Sequence, residues 1–397
     1  MLRIALKMLV GDRAKYVGLL LGIAFTAFLV TFAASYFCGF MTRGFALVSE
    51  NSDADVWVMD PTVSSVEQTT NLTDAALWRV HSVEGVRWAV PLALGMAEVR
   101  FPNGRFQSFQ VIGVDDTSLA GAPETEDGKP SVVLHAPDAV IVDEGGTEGK
   151  LETPATAADQ WPHDGPHLNV KTRLLDEGDE LQINDYRVKV AGRSKTFQRF
   201  PPRPLLYATI SNAKRFLLPE RRMLTFVLVR AVSGVSPETL AQRIERATGL
   251  KARTADDFKA DTVQWYLTNS EDVGDIVSML SIGMLVGFGV TGVMLYMFTT
   301  DNIRQYAVLK AMGASSRLLL TMVLAQAGLC GLIGTGLGLG LCSLVGEAAV
   351  AIERPFRMMW FTPLLGGITV ILVSLVAAAI SIRPVFKLEP AIVFAGR

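Results

Sequence analysis

Four long runs without a charged residue constrain this chain more than any other feature: Tyr16–Thr42, Ile276–Thr300, Leu318–Gly346 and Met358–Ile382. A bilayer core about 30 Å thick takes roughly 20 residues of helix to cross, and each run is long enough. Residues 363–382 alone hold eleven Leu, Ile or Val residues. At central positions these contribute about −3 to −6 kcal/mol of insertion free energy, before small and polar residues are counted. A buried helix of a water-soluble domain has shorter runs. The spacing matters as much as the runs. One lies near the first residue and three crowd the last third, with the mostly polar segment 43–275 between them.

Charge orients this layout. A formal net charge of −2 offers no footprint for nucleic acid. Arg3, Lys7, Arg13 and Lys15 precede the first run, Arg304, Lys310 and Arg317 lie between the second and third, and Arg383, Lys387 and Arg397 follow the fourth. The short segment 347–357 mixes Glu347, Glu353, Arg354 and Arg357. Lys and Arg in short loops mark the cytoplasmic side. The expected fold class is therefore a membrane α-helical protein with four transmembrane helices in a 1+3 layout and a large extracytoplasmic α+β domain. Residues 1–15 are a cytoplasmic segment, 16–42 span 1, 43–275 the periplasmic domain and 276–300 span 2. A cytoplasmic loop follows at 301–317, then span 3 at 318–346, a short outer loop at 347–357, span 4 at 358–382 and a cytoplasmic tail at 383–397. The expected location is the bacterial inner membrane, multi-pass, with both termini cytoplasmic. Ala33-Ala34-Ser35 resembles a cleavage site, but the apolar run far exceeds a signal-peptide core, so span 1 reads as an uncleaved anchor.

Cys38, Cys330 and Cys342 all fall in spans, so the outer domain is expected to rest on an ordinary apolar core rather than on disulfides or zinc. Its pattern is mixed. Val56–Met59 reads as a strand ended by Asp60-Pro61, and Thr73 as the cap of a helix to about His81. Residues 95–101 and 106–113 flank a turn at Pro102-Asn103-Gly104-Arg105, and residues 180–183 and 186–190 flank Asn184-Asp185, two hairpin signatures. Leu205–Ile210 and Phe226–Val232 read as buried strands. Ser236-Pro237 opens a helix to about Thr248. Thr254 and Asp257 resemble a capping box, opening a helix that either continues as a stiff stalk into span 2 or breaks near Asn269-Ser270. Residues 117–170, rich in Pro, Gly and acids, read as a flexible insert. The basic stretch Arg193, Lys195, Arg199, Arg203, Arg221 and Arg222 reads as a solvated face or a contact for lipid headgroups or a partner.

Catalytic signatures are missing. Glu144–Leu151 looks like a phosphate loop but lacks the first Gly at the right spacing and the Ser/Thr after Lys150. His163 and His167 each follow a proline, Pro162 and Pro166, rather than lying on a helix, so they make a poor metal pair. No HExxH, GxSxG or CxxC occurs. The spans carry no Asp, Glu, Lys or Arg, unlike ion-driven pumps. They carry glycines four apart instead, Gly18/Gly22, Gly283/Gly287, Gly334/Gly338 and Gly336/Gly340, candidates for close helix packing or a contact with a second copy.

The loop 301–317 is the remaining compact feature. Asp301 is placed to cap a short helix and to pair with Arg304, Gly313 to end it, and Ser315 or Ser316 to start span 3. Tyr306, Val308, Leu309 and Met312 are more apolar than a bare hairpin needs, which points to a docking partner. The run Arg304-Gln305-Tyr306-Ala307-Val308-Leu309-Lys310-Ala311-Met312-Gly313-Ala314 resembles the loop of MacB/FtsX-type ABC transporter permeases. The tail Ile382-Arg383-Pro384-Val385-Phe386-Lys387-Leu388-Glu389-Pro390-Ala391-Ile392-Val393-Phe394 resembles their C-terminal end, and DevC-like members are the most similar. MacB itself is a partial match, since it carries a fused ATPase and this chain holds no Walker motif.

The resemblance implies a non-catalytic permease subunit that pairs with a second copy and with a separate cytoplasmic ABC ATPase. ATP and magnesium belong to that ATPase, and no cofactor is bound directly. Asp301, Arg304, Gln305, Tyr306, Lys310, Met312 and Gly313 would form the coupling helix that contacts it. ATP-driven movement of the periplasmic domain, mechanotransmission, would export an amphiphilic or periplasmic substrate, with a periplasmic HlyD-type adaptor and an outer-membrane exit duct as further partners. An FtsX-like regulator of cell-wall hydrolases and a lipoprotein-release permease are the alternatives within the same resemblance.

Overall fold

The computed structural model describes residues 13–218 and 223–381. Arg3, Lys7, Arg221, Arg222, Arg383, Lys387, Arg397 and the C-terminal motif 382–394 lie outside the described residues. Two compact units form, Met41–Asn269 and the rest of the described chain. The helices are α1 Arg13–Gly44, α2 Ala46–Glu50, α3 Asp74–His81, α4 Ile210–Phe216, α5 Pro237–Thr248, α6 Ala255–Asn269, α7 Glu271–Asp301, α8 Ile303–Ala311, α9 Ser316–Ala351 and α10 Phe361–Ser381. The strands are β1 Val56–Met59, β2 Val86–Arg100, β3 Phe106–Val114, β4 Ala139–Asp143, β5 Glu152–Pro154, β6 Thr172–Leu174, β7 Glu180–Ile183, β8 Tyr186–Ser194, β9 Leu205–Thr209, β10 Phe226–Ala231 and β11 Lys251–Thr254.

In the unit Met41–Asn269, nine strands join in the order β11-β1-β10-β2-β3-β9-β4-β8-β7. The long strand β2 organises it. Residues 86–92 pair with β10, residues 93–100 with β3, and Val99 and Arg100 also with β7. That last pairing returns the edge strand β7 to β2, so β2-β3-β9-β4-β8-β7 closes into a ring, which leaves those strands no free edge. Val99, Phe109, Val111, Val140, Leu181 and Leu206 fill its interior. The remaining strands form a flatter layer. Val80 of α3 and Leu240 and Ile244 of α5 cover one face. On the other face, Trp57 of β1 lies 5.4 Å from Phe226 and 5.6 Å from Phe258 of α6, ring to ring. Successive side chains of a strand point to opposite faces, and with both faces covered all four residues of β1 are buried.

The hairpins and the helices α3 and α5 form where the local chemistry places them. Asn184 and Asp185 have φ of 43° and 68°, the positive values a two-residue hairpin turn needs. Ser236 accepts a hydrogen bond from the Thr239 amide at the head of α5, and Gly249 ends that helix at φ 70°.

Three expectations change. The segment 117–170 is not simply a flexible insert, because it contains β4, a fully buried strand paired with β8 and β9. Its apolar residues lie among Pro- and Gly-rich neighbours that hide so short a strand. Ile141→Ala is expected to cost about 2–5 kcal/mol, read as a fall in the denaturation midpoint of the full chain; an unchanged midpoint would contradict a central strand there. The glycine-rich stretch after β4 is held by Arg105, whose guanidinium donates to the carbonyls of Lys150 and Glu152, each at 2.9 Å.

The arginines at 193, 199 and 203 of the basic stretch are not an open face either, although Lys195 is exposed. Arg199 and Arg203 form ion pairs with Glu50 and Glu67, and Arg193 with Glu126 at 3.1 Å.

The stalk is not continuous either: of the two alternatives, the break near Asn269-Ser270 is the one present. Ser270 is extended (φ −104°, ψ 121°) between α6 and α7. Asn269 donates its side-chain amide to the Trp265 carbonyl at 2.9 Å, and Thr268 its hydroxyl to the Gln264 carbonyl at 3.0 Å. Such local bonds take up terminal carbonyls and let the helix stop.

In the other unit, α1, α7, α9 and α10 are each long and apolar enough to cross a membrane. Helix α9 runs on through Glu347 to Ala351, shortening the expected outer loop, because Glu347-Ala348-Ala349-Val350-Ala351 is rich in helix formers. Four of the singled-out glycines serve packing within this bundle. A Cβ on Gly334 would meet Ile23 at 2.7 Å, and one on Gly338 would meet Ala27 at 2.6 Å and the Phe28 amide nitrogen at 3.0 Å. A Cβ on Gly287 would collide with Thr26, and one on Gly22 would touch Val290 and Met294 at 3.4 Å. Among the described residues nothing lies within 4 Å of that position at Gly18, Gly283, Gly336 or Gly340. The Thr26 hydroxyl lies 3.1 Å from the Gly287 carbonyl oxygen and 3.1 Å from the Thr291 hydroxyl. These are polar contacts between neighbouring helices of the kind that small residues permit.

Candidate coupling site

Helix α8 is joined to its neighbours by two sharp corners. At the first, Asp301 ends α7 and Asn302 is the residue between helices. Asp301 was expected to cap α8, but that position belongs to Asn302. The Asn302 side-chain amide reaches back to the Phe298 carbonyl at 2.8 Å, satisfying a terminal acceptor of α7. At the second corner Gly313 has φ 96°. Its amide donates to the Lys310 carbonyl at 3.1 Å, and the Ala314 amide to the Leu309 carbonyl at 3.0 Å. Together these make the Schellman pattern that a left-handed residue after a helix allows. Ser315 then caps α9 by accepting from the Leu318 amide at 3.3 Å.

Between the corners, nine residues of helix extend about 13.5 Å. Their two faces differ in kind. Tyr306, Ala307 and Leu309 are buried, and Tyr306 and Leu309 pack into the bundle core with Leu19, Leu319, Met322 and Val323. The Tyr306 hydroxyl donates to the Gln326 side-chain oxygen at 3.0 Å. Burial pushes that hydroxyl up to about 12, against the Gln326 hydrogen bond, which pulls it down, so at neutral pH it is a protonated donor.

Arg304, Gln305, Val308, Ala311 and Met312 are exposed. Their spacing of i, i+1, i+4, i+7 and i+8 is one face of an α-helix. Lys310 is half-buried, and Asp301 and Gly313 are exposed at the ends.

Of the sequence candidates, Arg304, Gln305 and Met312 therefore share one open surface, while Tyr306 faces the opposite way and cannot touch a partner. Leu309, expected to help dock something, also packs inward. The reason is period: at 100° per residue Tyr306 lies about 160° round the helix from Val308, while Leu309 sits at the border of the open face, about 100° from Val308, and is buried by its packing against the bundle. Sequence reasoning missed Gln326. It is the one carboxamide in the four apolar runs, and polar groups inside a span mark a specific contact.

Residues 277–390 match the family model described as "FtsX-like permease C-terminal". No curated protein matches the chain. Among solved structures, the extracellular domain of the noncanonic ABC-type transporter YknZ from Gram-positive bacteria is similar at 12% identity and TM-score 0.34, covering 51% of this chain and 99% of that one. The periplasmic region of MacB from Actinobacillus actinomycetemcomitans gives 14% identity and TM-score 0.35, covering 55% of this chain and 94% of that one. A domain of a putative permease from Porphyromonas gingivalis gives 13% identity and TM-score 0.30, covering 51% and 88%. The last third of the chain, with α8 and the long apolar helices around it, is thus the part that matches an FtsX-like permease C-terminal domain.

Proposed function

We propose that this chain is the membrane subunit of an ABC exporter and that α8 is its coupling helix. The observation that carries the reading is the two-sided build of α8. One face is seated in the bundle core, so a push on the helix reaches the spans. The other presents a cation, a carboxamide and two apolar side chains, Arg304, Gln305, Val308 and Met312, the mixed surface that protein partners use. On this reading the partner is a separate cytoplasmic ATPase that holds ATP and magnesium, and a second copy of the chain completes the translocation unit. The cargo is an amphiphile or a periplasmic molecule, handed to an adaptor and an outer-membrane duct.

The test alters the exposed face alone. Val308→Asp with Met312→Asp is expected to lower stimulation of the partner ATPase at least about tenfold, the order of effect when central apolar anchors of an interface are lost. Membrane insertion and thermal stability should stay unchanged, because neither side chain is buried. Full ATPase stimulation in this variant would remove α8 from the coupling role.

A further inference from the structure

In the unit Met41–Asn269, the loop 195–204 between β8 and β9 contacts three helices at once, α2, the last turn of α1 and α6. The Phe197 amide donates to Glu50 at 2.9 Å, and the Arg199 guanidinium pairs with the same carboxylate, at the end of α2. The Phe200 amide donates to the carbonyl of Arg43, in the last turn of α1, at 3.3 Å. The Phe200 carbonyl accepts from the Tyr266 hydroxyl of α6 at 2.9 Å, with the two rings 5.5 Å apart. Tyr266 also lies against Gly44, where an added Cβ would be 2.7 Å from its ring. The loop itself is anchored to the sheet. Asp143 at the end of β4 accepts from the Ser194 hydroxyl at 2.9 Å and the Thr196 amide at 2.7 Å.

Arg199 is the unusual member. It is 6% exposed, and two of its guanidinium nitrogens, Nε and Nη1, find no hydrogen-bond acceptor among the described residues. A buried, incompletely paired cation is a poor way to add stability, and an apolar side chain would fill the space at less cost. What the cation adds is direction: it reaches Glu50 and, at 3.2 Å, the Tyr207 hydroxyl of β9. Beside it lies a cavity of about 720 Å³ lined by Ser49, Glu50, Lys195, Thr196, Phe197 and Tyr207, which leaves the loop room to shift.

We propose that the loop 195–204 is a clasp joining the ends of α1 and α6, the helices that lead to spans 1 and 2, to the sheet of the outer domain, with Arg199 and Glu50 as its positioning residues. The significance of the clasp rests on the reading that this domain moves with those spans; its existence does not. Hydrogen exchange on the full chain in nanodiscs tests it. Arg199→Met is expected to speed exchange about tenfold in 41–50 and 258–269, while β3 and β9 keep their protection, since local openings of this kind are separate from global unfolding. Tyr266→Phe, which deletes one hydroxyl, is expected to act on the same two segments about two- to threefold. Acceleration confined to 195–204 in either variant would overturn the clasp. If Arg199→Met does not fold, Tyr266→Phe decides alone, and unchanged exchange in 41–50 then overturns it. Adding the partner ATPase separates the two ideas: faster exchange in both segments with normal transport would keep the clasp and refute the movement.

Discussion

Gly338→Val is expected to loosen the membrane bundle, whereas Gly336→Val, two residues away on α9, leaves it intact. A side chain at 338 would be driven into the backbone of α1, meeting the Ala24 carbonyl oxygen and lying 2.6 Å from the Ala27 Cβ and 3.0 Å from the Phe28 amide nitrogen. Backbone cannot swing aside as a flexible side chain can. Overpacking costs about 1–3 kcal/mol even where side chains can yield, so the two helices are expected to separate rather than accommodate it. At position 336 nothing lies within 4 Å of the same atom. Melting of the detergent-solubilised chain, followed by size-exclusion chromatography, checks both. Roughly 2–4 °C per kcal/mol applies to a mid-sized domain, and the 338 variant should fall by about 10 °C relative to the 336 variant. Equal melting points would mean that α1 and α9 do not approach each other there.

Tyr306→Ala is expected to be nearly as damaging, for a different reason. Removing a buried aromatic ring costs about 3–5 kcal/mol through lost contacts and the cavity left behind. It also unseats α8 while leaving Arg304, Val308 and Met312 chemically unchanged. Coupling to an ATPase should therefore fall along with stability. Tyr306→Phe keeps the ring and withdraws only the hydroxyl from Gln326, so about 1–3 kcal/mol is expected. Melting temperatures of the three proteins should rank wild type, then Phe, then Ala. If alanine melts like wild type, the inward seat of α8 is wrong. If it melts lower but couples normally, α8 transmits nothing through that seat.

How much was legible in the sequence differs by element. The four spans stood out because a bilayer demands long uncharged helices, and no tertiary contact is needed to see that. The turn at Asn184-Asp185, the cap at Ser236 and the Gly313 corner were readable because each depends on local backbone geometry that few residues satisfy. Strand β4 was not, since five apolar residues in a Pro- and Gly-rich stretch carry no usable period. Nor was the first half of β2, or β11, whose pairing partners lie far away in the chain. Arg199 looked like part of a basic surface because its partner, Glu50, lies in another element.

In α8 the residue types were visible and their facing was not. A run with Tyr306, Val308, Leu309 and Met312 announces an apolar helix, yet only packing against Leu319 and Met322 separates the buried pair from the exposed one. The sequence alone therefore determined the number, length and spacing of the spans and the corners of the loop helix, because solvent and backbone geometry act on each residue locally. Tertiary structure alone decided which face of α8 is open, which glycines pack inside the bundle, and that the loop 195–204 grips two helix ends. Those facts depend on atoms brought within a few ångströms from distant parts of the chain, and no local pattern records them.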